Sequence, residues 1–317
     1  MSERERDFTD MNLIYSVVIP VFNSSKIVSD TVFSVRSFFI KHGHSFEVIL
    51  VNDGSNDDSW SVISQLAKEY DEVKAINLLK NYGQHSANLC GFREASGDYV
   101  ITMDDDLQNP PDEIAKLIDA SLEGYDLIIG KFESKQHSSF RRLGSRFVGW
   151  LNRKVFEVED DLVLSNFRMI RRDVVDRVCK ESSVSPYIPG LVLKHSSNRS
   201  NVLVKHSPRA VGESNYTLRK ILRLVFIILF NHSTIPLRYS AGFGFVVSGA
   251  SFALGIFYLL SALFEGAAVP GWATLVVLIS FFNGVLILLL SIIGEYIVRA
   301  LREISNQGGY EVAEVVR

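Results

Sequence analysis

Residues 239–298 contain no lysine or arginine and only two acidic side chains. Within this segment, Tyr239–Phe264 and Trp272–Gly294 are entirely uncharged, and a short turn over 265–271 joins them. Each uncharged stretch exceeds the roughly 20 residues that a helix needs to cross the hydrocarbon of a bilayer. The alternative is a buried helical hairpin in a soluble protein, but soluble cores seldom contain two uncharged stretches of this length. The pattern therefore predicts a hairpin of two transmembrane helices over residues 238–302.

The flanking charges predict the orientation of this hairpin. Arg238 precedes the first stretch, Arg299 and Arg302 follow the second, and the turn between them has no basic residue. Because basic flanks stay in the cytoplasm, both ends of the hairpin should be cytoplasmic and the turn should lie outside. The N-terminus is charged and has no signal-peptide core. We therefore expect an inner (plasma) membrane protein with two spans, whose large domain before the hairpin, N-terminus and C-terminus are cytoplasmic.

Composition excludes several other classes of protein. The chain is 47% hydrophobic and 22% charged, which is too apolar for intrinsic disorder, and its two cysteines exclude a disulfide scaffold. A net charge of −3 gives no basic footprint for nucleic acid. We expect a tail over 1–12, a soluble domain over 13–216 and a C-terminal tail over 303–317. Residues 217–237 begin with a cluster of cations before an apolar run, which indicates either a helix lying in the membrane interface or a final amphipathic helix of the soluble domain.

The soluble part alternates apolar β-rich runs with helical patterns, which predicts an α/β fold with a Rossmann-like, mostly parallel sheet. The predicted strands are Leu13–Phe22, Phe46–Val51, Val73–Leu78, Tyr99–Met103 and Leu127–Gly130. The predicted helices are Lys26–Lys41, Asp57–Tyr70, His85–Ala95 and Pro110–Leu122.

Polar side chains follow four of these predicted strands. They are Asn23, Asp53, Asn81, and the pair Asp104 and Asp106. In open α/β sheets, ligands bind outside the carboxyl ends of the strands. We therefore expect these side chains to meet at one ligand-binding edge.

Three consecutive carboxylates, Asp104, Asp105 and Asp106, follow the fourth strand. In extended backbone the first and third point to the same side, whereas Asp105 points away. Two carboxylates on one side suit Mg²⁺ or Mn²⁺, with phosphate oxygens completing the shell. The alternative is a solvated acidic turn that caps the next helix. Asp53 has a similar alternative, because an Asx turn or a helix cap fits its position as well as a contact with a nucleobase or ribose does.

Several motifs together resemble the family 2 glycosyltransferases of the GT-A fold, and within them the polyisoprenyl-phosphate glycosyltransferases. That group includes dolichol-phosphate mannose synthase and bacterial undecaprenyl-phosphate transferases of 4-formamido-arabinose or glucose. The motifs lie in residues 16–23, 51–55, 79–86, 104–111, 212–216 and 294–299. They span nearly the whole chain, and their combination is more specific than any one of them.

The resemblance implies a role for each matching residue. Pro20, Phe22, Asn23 and Asp53 would bind the nucleotide's base and ribose. Asp104 would lie by the ribose or the metal, Asp106 would ligate the metal, and Gln108 would lie beside it. A further set would face the diphosphate, the acceptor phosphate or the closed donor and acceptor: Lys131, Arg141, Ser145, Arg168, Arg209 and Ser214. Asp104, Asp106, Arg141 and Arg209 are the expected catalytic residues, and Asn81 is expected at the nucleotide.

This chain also departs from the usual family pattern. Ser24 stands where the family often has Glu, Asn52 replaces the first Asp of an Asp-Asp-Gly-Ser motif, and Asp105 replaces the Ala of an Asp-Ala-Asp motif. Asn166 replaces the Gly of a Ser-Gly-Phe motif. No departure removes an expected metal ligand.

The resemblance implies an inverting, metal-dependent transfer of one sugar from a nucleotide sugar, with UDP preferred, to a polyprenyl (undecaprenyl) phosphate. The product would serve cell-envelope glycan synthesis or modification. It also implies a homo-oligomer, a tetramer by analogy, in contact with membrane lipids. Two alternatives stay open: a catalytically inactive membrane scaffold with the same fold, and a processive polysaccharide synthase. A synthase of that kind usually carries a Gln-x-x-Arg-Trp motif and more spans, and this chain has no Arg-Trp pair.

Overall fold

The computed structural model describes residues 13–132, 149–151, 153–156, 162–181, 186–205, 207, 225, 226, 228, 233, 235–265, 271–304 and 309–317. The chain divides into two compact units. The first contains residues up to 225 and returns with 307–317, and the second contains residues 226–306.

The first unit is built on a mixed eight-stranded sheet. Its strands are β1 (Ile14–Val21), β2 (Ser45–Asn52), β3 (Val73–Leu78), β4 (Tyr99–Thr102), β5 (Leu127–Phe132), β6 (Arg168–Arg171), β7 (Arg199–Val204) and β8 (Val312–Val316). Their order in the sheet is β7-β5-β6-β4-β1-β2-β3-β8. The helices are α1 (Val28–His42), α2 (Ser59–Glu69), α3 (Gln84–Glu94), α4 (Ile114–Leu122), α5 (Arg172–Lys180) and α6 (Ile188–His195), with a 3-10 turn at Pro111–Glu113 before α4.

The central strands are apolar on both faces because helices cover both faces. On β1, Val17 and Ile19 pack on the side of α1, α2 and α4, whereas Val18 packs on the side of α3, α5 and α6. Both sets are fully buried. The predicted strands β1–β5 and helices α1–α4 are confirmed to within a few residues at each end.

Strand direction decides which residues share an edge. Strands β1, β2, β3 and β4 are mutually parallel, and β5 is parallel to β7. Strand β6 runs antiparallel between β4 and β5, with Arg168 opposite Thr102 and Ile129. The start of β6 therefore lies at the same edge as the carboxyl ends of β4 and β5. This geometry places the segment before β6 beside the acidic turn after β4.

The last strand, β8, comes from residues that the sequence analysis assigned to a tail. It pairs antiparallel with β3, with Val316 opposite Ala75 and Val312 opposite Leu78. The pairing continues past the strand, since the Leu79 N–H donates to the Glu311 carbonyl at 2.9 Å. Arg93 on α3 also donates to the Tyr310 hydroxyl at 3.1 Å. The chain therefore leaves the first unit, passes through the second and returns to the sheet.

The second unit contains two long helices, α7 (Ile235–Glu265) and α8 (Trp272–Ile304). Within the part of this unit that the structure describes, one segment, Phe281–Val298, is long and apolar enough to cross a membrane. It lies in α8. The boundaries of α7 and α8 enclose the two predicted uncharged stretches. Most of the predicted interfacial helix, over 217–237, lies outside the described residues.

Candidate functional site

Two loops at the carboxyl ends of β1 and β2 are tied to each other by side chains. Asn23 Oδ1 accepts the Asn56 N–H at 2.8 Å, and the Ser55 hydroxyl accepts the Asn23 N–H at 3.0 Å. Asn23 has a φ of 53°, a left-handed conformation that Asn tolerates better than most residues. Phe22 is 45% exposed beside it, whereas Pro20 is buried within β1. The arrangement leaves the Phe22 ring open to a ligand.

Asp53 lies in a cradle of backbone amides at the end of β2. Its Oδ1 accepts the Tyr82 N–H at 2.7 Å, and its Oδ2 accepts the Gly83 N–H at 2.9 Å. The carboxylate is 3% exposed, and burial raises its pKa to about 6, although these two amides oppose the rise.

The loop that supplies these amides lies directly on the turn after Asp53. Gly54 has a φ of 63°, and a Cβ at this position would come within 2.4 Å of the backbone of Lys80 and Asn81. Only glycine accommodates both the conformation and the close approach. Asn81 is itself exposed on this loop, so the loops after β2 and β3 form one surface at the expected nucleotide end.

Asp104 is held by two side-chain amides at the end of β4. Gln84 at the start of α3 and Asn166 before β6 each donate to its Oδ1, both at 2.6 Å. Burial raises the pKa of the Asp104 carboxyl, and the charge of Asp106 raises it further. The two amides act in the opposite direction.

Asp105 and Asp106, which follow the end of β4, have different surroundings. Asp105 Oδ2 accepts the Phe22 N–H at 3.4 Å, so this carboxylate ties the β4 loop to the β1 loop. Burial raises its pKa to about 6. Asp106 is 7% exposed, and its Oδ1 accepts the Gln108 N–H at 3.2 Å across a turn in which Leu107 has a φ of 57°.

The chemistry of these donors fits a hard divalent cation. The charge of Asp106 opposes the ionisation of Asp104, and a cation between the two carboxylates would remove that repulsion. Among the described residues, no three His, Cys, Asp or Glu side chains gather into a closed metal site. Mg²⁺ characteristically binds one or two carboxylates together with phosphate oxygens and water, so two carboxylates suffice for an open site.

The remaining expected residues divide into three groups. Lys131 is exposed near the end of β5 and so lies at the same edge as Asp104. Arg168 is 1% exposed and hydrogen-bonds to Thr102 and Asn166, so its guanidinium is buried behind the site and not open to a ligand. The other four lie outside the described residues: Arg141, Ser145, Arg209 and Ser214.

One contact shows where the segment leading to Arg209 begins. The Ser207 N–H donates to the Gln108 carbonyl at 2.9 Å, next to the acidic turn. Two residues of the site, Gln84 and Asn166, were missed by sequence reasoning as contacts of Asp104. The departure from Ser-Gly-Phe at Asn166 was the one available signal.

Known proteins match this chain over most of its length. The glycosyl transferase family 2 model matches residues 16–178. The chain is 35% identical over 314 residues to undecaprenyl-phosphate 4-deoxy-4-formamido-L-arabinose transferase of Aeromonas hydrophila, covering 98% of this chain and 95% of that relative. It is 34% identical over 310 residues to the protein of the same name from Pseudomonas aeruginosa PAO1, covering 96% and 91%.

Two solved structures of glucosyl-3-phosphoglycerate synthase from Mycobacterium tuberculosis are similar to this chain in fold over about two thirds of its length. The complex with Mn²⁺, UDP and phosphoglyceric acid has a TM-score of 0.51 at 16% identity, covering 68% of this chain and 76% of that one. The complex with Mg²⁺ and UDP has a TM-score of 0.51 at 17% identity, covering 69% and 79%. The resemblance seen in the motifs is thus confirmed, and the chain belongs to glycosyl transferase family 2, with a mixed α/β sheet of the GT-A type.

Proposed function

We propose that this protein transfers one sugar from a nucleotide sugar, with UDP as the preferred nucleotide, to a polyprenyl phosphate at the membrane surface. The observation that carries the proposal is the match along nearly the whole chain, apolar helices included, to relatives named as undecaprenyl-phosphate sugar transferases. Asp53, Asp104 and Asp106 follow β2 and β4 at the same sheet edge, where the donor would bind. The Mn²⁺, Mg²⁺ and UDP of the similar synthase structures support a metal-dependent UDP-sugar site.

The acceptor needs no general base in this reaction. A phosphate monoester has a second pKa near 6, so a lipid phosphate is largely dianionic at neutral pH. One of its oxygens attacks the anomeric carbon while the bond to the diphosphate breaks, which yields the lipid-phosphate sugar and the nucleoside diphosphate. Attack opposite the leaving group inverts the anomeric centre. A bound Mg²⁺ or Mn²⁺ would stabilise the charge that develops on the leaving diphosphate.

The protein's own residues would then position and orient the reactants. The exposed Phe22 ring and the amide-cradled Asp53 would take the base and ribose. Asp104 and Asp106 would hold the cation, with Gln108 beside them. The basic residues Lys131, Arg141 and Arg209 would face the diphosphate and the acceptor phosphate. In such a site, catalysis comes from positioning and from electrostatic stabilisation of the leaving group.

Both α7 and α8 would span the membrane in this proposal. The return of the chain to β8 supports it, because a segment that starts and ends in one folded domain crosses the membrane an even number of times. To test this, Ala267 in the turn between the helices is replaced by cysteine and whole cells are treated with a membrane-impermeant maleimide. Labelling above that of the unsubstituted chain supports two spans, and absence of labelling until the cells are opened contradicts them.

The activity itself is tested with the full chain purified in detergent. The assay contains undecaprenyl phosphate, Mg²⁺ or Mn²⁺, and a panel of UDP- and GDP-sugars that includes UDP-4-deoxy-4-formamido-L-arabinose, with the lipid product measured by mass spectrometry. We expect one sugar per lipid, a single monophosphate in the product, and loss of product on chelation. A lipid carrying many sugars would favour a processive synthase, and no product with any donor would favour an inactive scaffold. A homo-oligomer, expected as a tetramer, would appear in native mass spectrometry.

A further inference from the structure

Both amides on Asp104 reach the same carboxylate oxygen. Gln84 Nε2 and Asn166 Nδ2 each lie 2.6 Å from Oδ1, and no described residue donates a hydrogen bond to Oδ2. Two donors that approach one oxygen from different elements, α3 and the loop before β6, fix the rotation of the carboxylate. Asp104 therefore presents Oδ2 in a defined direction.

The other end of the Asn166 amide contacts a buried cation. Its Oδ1 accepts from Arg168 Nη2 at 2.9 Å, and Arg168 Nε donates to the Thr102 hydroxyl at 3.2 Å. That hydroxyl in turn donates to the Asn166 backbone carbonyl at 2.6 Å. Asn166, Arg168 and Thr102 thus form a closed ring of hydrogen bonds behind Asp104.

The two partners of Asn166 determine which residue type fits between them. The carboxylate of Asp104 requires a donor, and the guanidinium of Arg168 requires an acceptor. A neutral amide offers one of each. An aspartate would satisfy Arg168 but would place a second negative charge on Asp104. A glycine would satisfy neither.

Arg168 cannot itself act at the surface. It is 1% exposed, and burial lowers its pKa to about 10, which leaves the guanidinium charged at neutral pH. Tyr187 and, to a smaller extent, Asp104 favour that charge, and Asn166 is hydrogen-bonded to both Arg168 and Asp104. One amide therefore links the metal-facing carboxylate of Asp104 to the buried guanidinium of Arg168.

We propose that Asn166 is a positioning residue that orients Asp104 for the divalent cation and couples it to the buried charge of Arg168. This inference rests on the proposed function, because it takes the cation of the donor site as the ligand of Asp104. Asn166 stands where the resembling Ser-Gly-Phe motif has glycine, which has no side chain that could bond to Asp104.

The test measures cation binding directly, by electron paramagnetic resonance of Mn²⁺ with the full chain and UDP in detergent. Residues that hold a metal ligand in place typically change metal affinity by about 10- to 100-fold. We expect Asn166→Ala and Asn166→Gly to raise the Kd for Mn²⁺ by about 10-fold. Asn166→Asp should also raise it, because a carboxylate donates no hydrogen bond to Asp104. The KM for the lipid phosphate should stay unchanged in all three variants.

Asn201→Ala is the matched control. The Asn201 side chain accepts the Val163 N–H at 2.7 Å and donates to the Val163 carbonyl at 2.9 Å, so it holds the same segment without touching Asp104. If Asn166 only holds the segment before β6 in place, Asn166→Ala and Asn201→Ala should lose Mn²⁺ affinity to the same extent. Asn166→Asp, which keeps its bond to Arg168, should then bind Mn²⁺ as the unsubstituted chain does. Either result overturns the proposal.

Failure of the proposed function gives a different outcome. If the unsubstituted chain binds Mn²⁺ with UDP but transfers no sugar to any lipid phosphate, the proposed acceptor is wrong. Weaker Mn²⁺ binding in the Asn166 variants would still support the clamp. If the unsubstituted chain binds no Mn²⁺ with UDP, the clamp has no cation to serve and the inference fails.

Discussion

At the carboxyl ends of β2 and β4, Asp53 and Asp104 are hydrogen-bonded by neutral amides, whereas at the opposite end of the same sheet Asp173 is bonded by arginines. Asp173 receives Arg171 Nε at 2.6 Å and Arg177 Nη1 at 3.2 Å, which lowers its pKa to about 2. Burial raises the pKa of Asp53 and of Asp104 instead. The ionised carboxylate of Asp173 therefore stabilises the fold. Ionising Asp53 and Asp104 instead costs free energy, which a bound cation or nucleotide would offset.

One carboxylate at the ligand-binding end behaves like those at the opposite end. Asp57 has its pKa lowered to about 2 by hydrogen bonds from Ser25 and Ser59, although its partial burial acts the other way. It lies just before α2, and its Oδ1 accepts the N–H of Ser59, the first residue of that helix, at 3.0 Å. Position at an edge therefore does not decide the behaviour of a carboxylate. Burial does, because Asp57 is exposed and has neutral donors, whereas Asp53 also has neutral donors but is 3% exposed.

Replacing Asp106 should give the largest effect and tests whether the carboxylates at the ligand-binding end serve activity rather than stability. Because the cation would lose one of two protein ligands, we expect Asp106→Ala to lower the transfer rate by about 100- to 1000-fold, the range typical of lost electrostatic stabilisation. The melting temperature should not fall, since one of two mutually repelling carboxylates is gone. The measurement is the rate of lipid-sugar formation. Asp119→Ala, at an exposed position on α4, is the control and should keep full activity.

Asp53 tests the nucleotide half of the same edge. In Asp53→Asn only one side-chain oxygen remains to accept the two N–H groups of Tyr82 and Gly83, so the loop loses part of its support. Hydrogen bonds to a charged group contribute about 1.5 to 3 kcal/mol, which corresponds to a 10- to 100-fold rise in the Kd for UDP. Calorimetry without metal measures this Kd.

The control for Asp53 lies at the opposite end of the sheet. Asp98 Oδ2 accepts the Ile14 N–H at 2.9 Å, so Asp98→Asn also changes an acid that holds a backbone amide. We expect its Kd for UDP to match that of the unsubstituted chain. An equal loss of affinity in both variants would mean that the two ends of the sheet do not differ as argued.

The sequence predicts the features of this comparison that depend on residues close together in the chain. Long apolar runs and the polar residues that follow them predict β1–β5 and place Asp53 and Asp104 at one edge. Strand β6 has four residues, two of them arginines, and it forms because β4 and β5 offer it two partners. Strand β8 depends on pairing with residues more than 200 positions away. Neither has a local signal, and the contact of Asn166 with Asp104 depends on the placement of β6.

The pH dependence of stability sharpens the comparison further. The pKa of Asp53 rises from 3.8 to about 6 on folding, so the folded state binds more protons than the unfolded state between these values. The free energy of unfolding should therefore fall as pH rises through this window. We expect the Asp53 part to amount to about 1 to 2 kcal/mol, since each unit of pKa corresponds to about 1.4 kcal/mol and a buried site relaxes. Melting temperatures of the full chain from pH 4 to pH 7, in chelator, should decline less in Asp53→Asn. An identical decline in both would contradict the assignment.

Asp173 should give the smallest effect and the opposite sign. Its folded pKa lies below the unfolded value, so its contribution is present above pH 4 and is lost as pH falls toward about 2. Asp173 and Arg171 are more than 40% exposed, so solvent screens the pair and Asp173→Ala should cost only about 0.5 kcal/mol at pH 7. Melting temperatures of the variant and the unsubstituted chain should converge as the pH is lowered, and transfer activity should be unchanged. An acid bonded by arginines stops stabilising the fold when it is protonated, so the difference in melting temperature cannot grow toward low pH if this assignment is right. A growing difference, or a loss of transfer activity, would show that Asp173 does more than stabilise the fold.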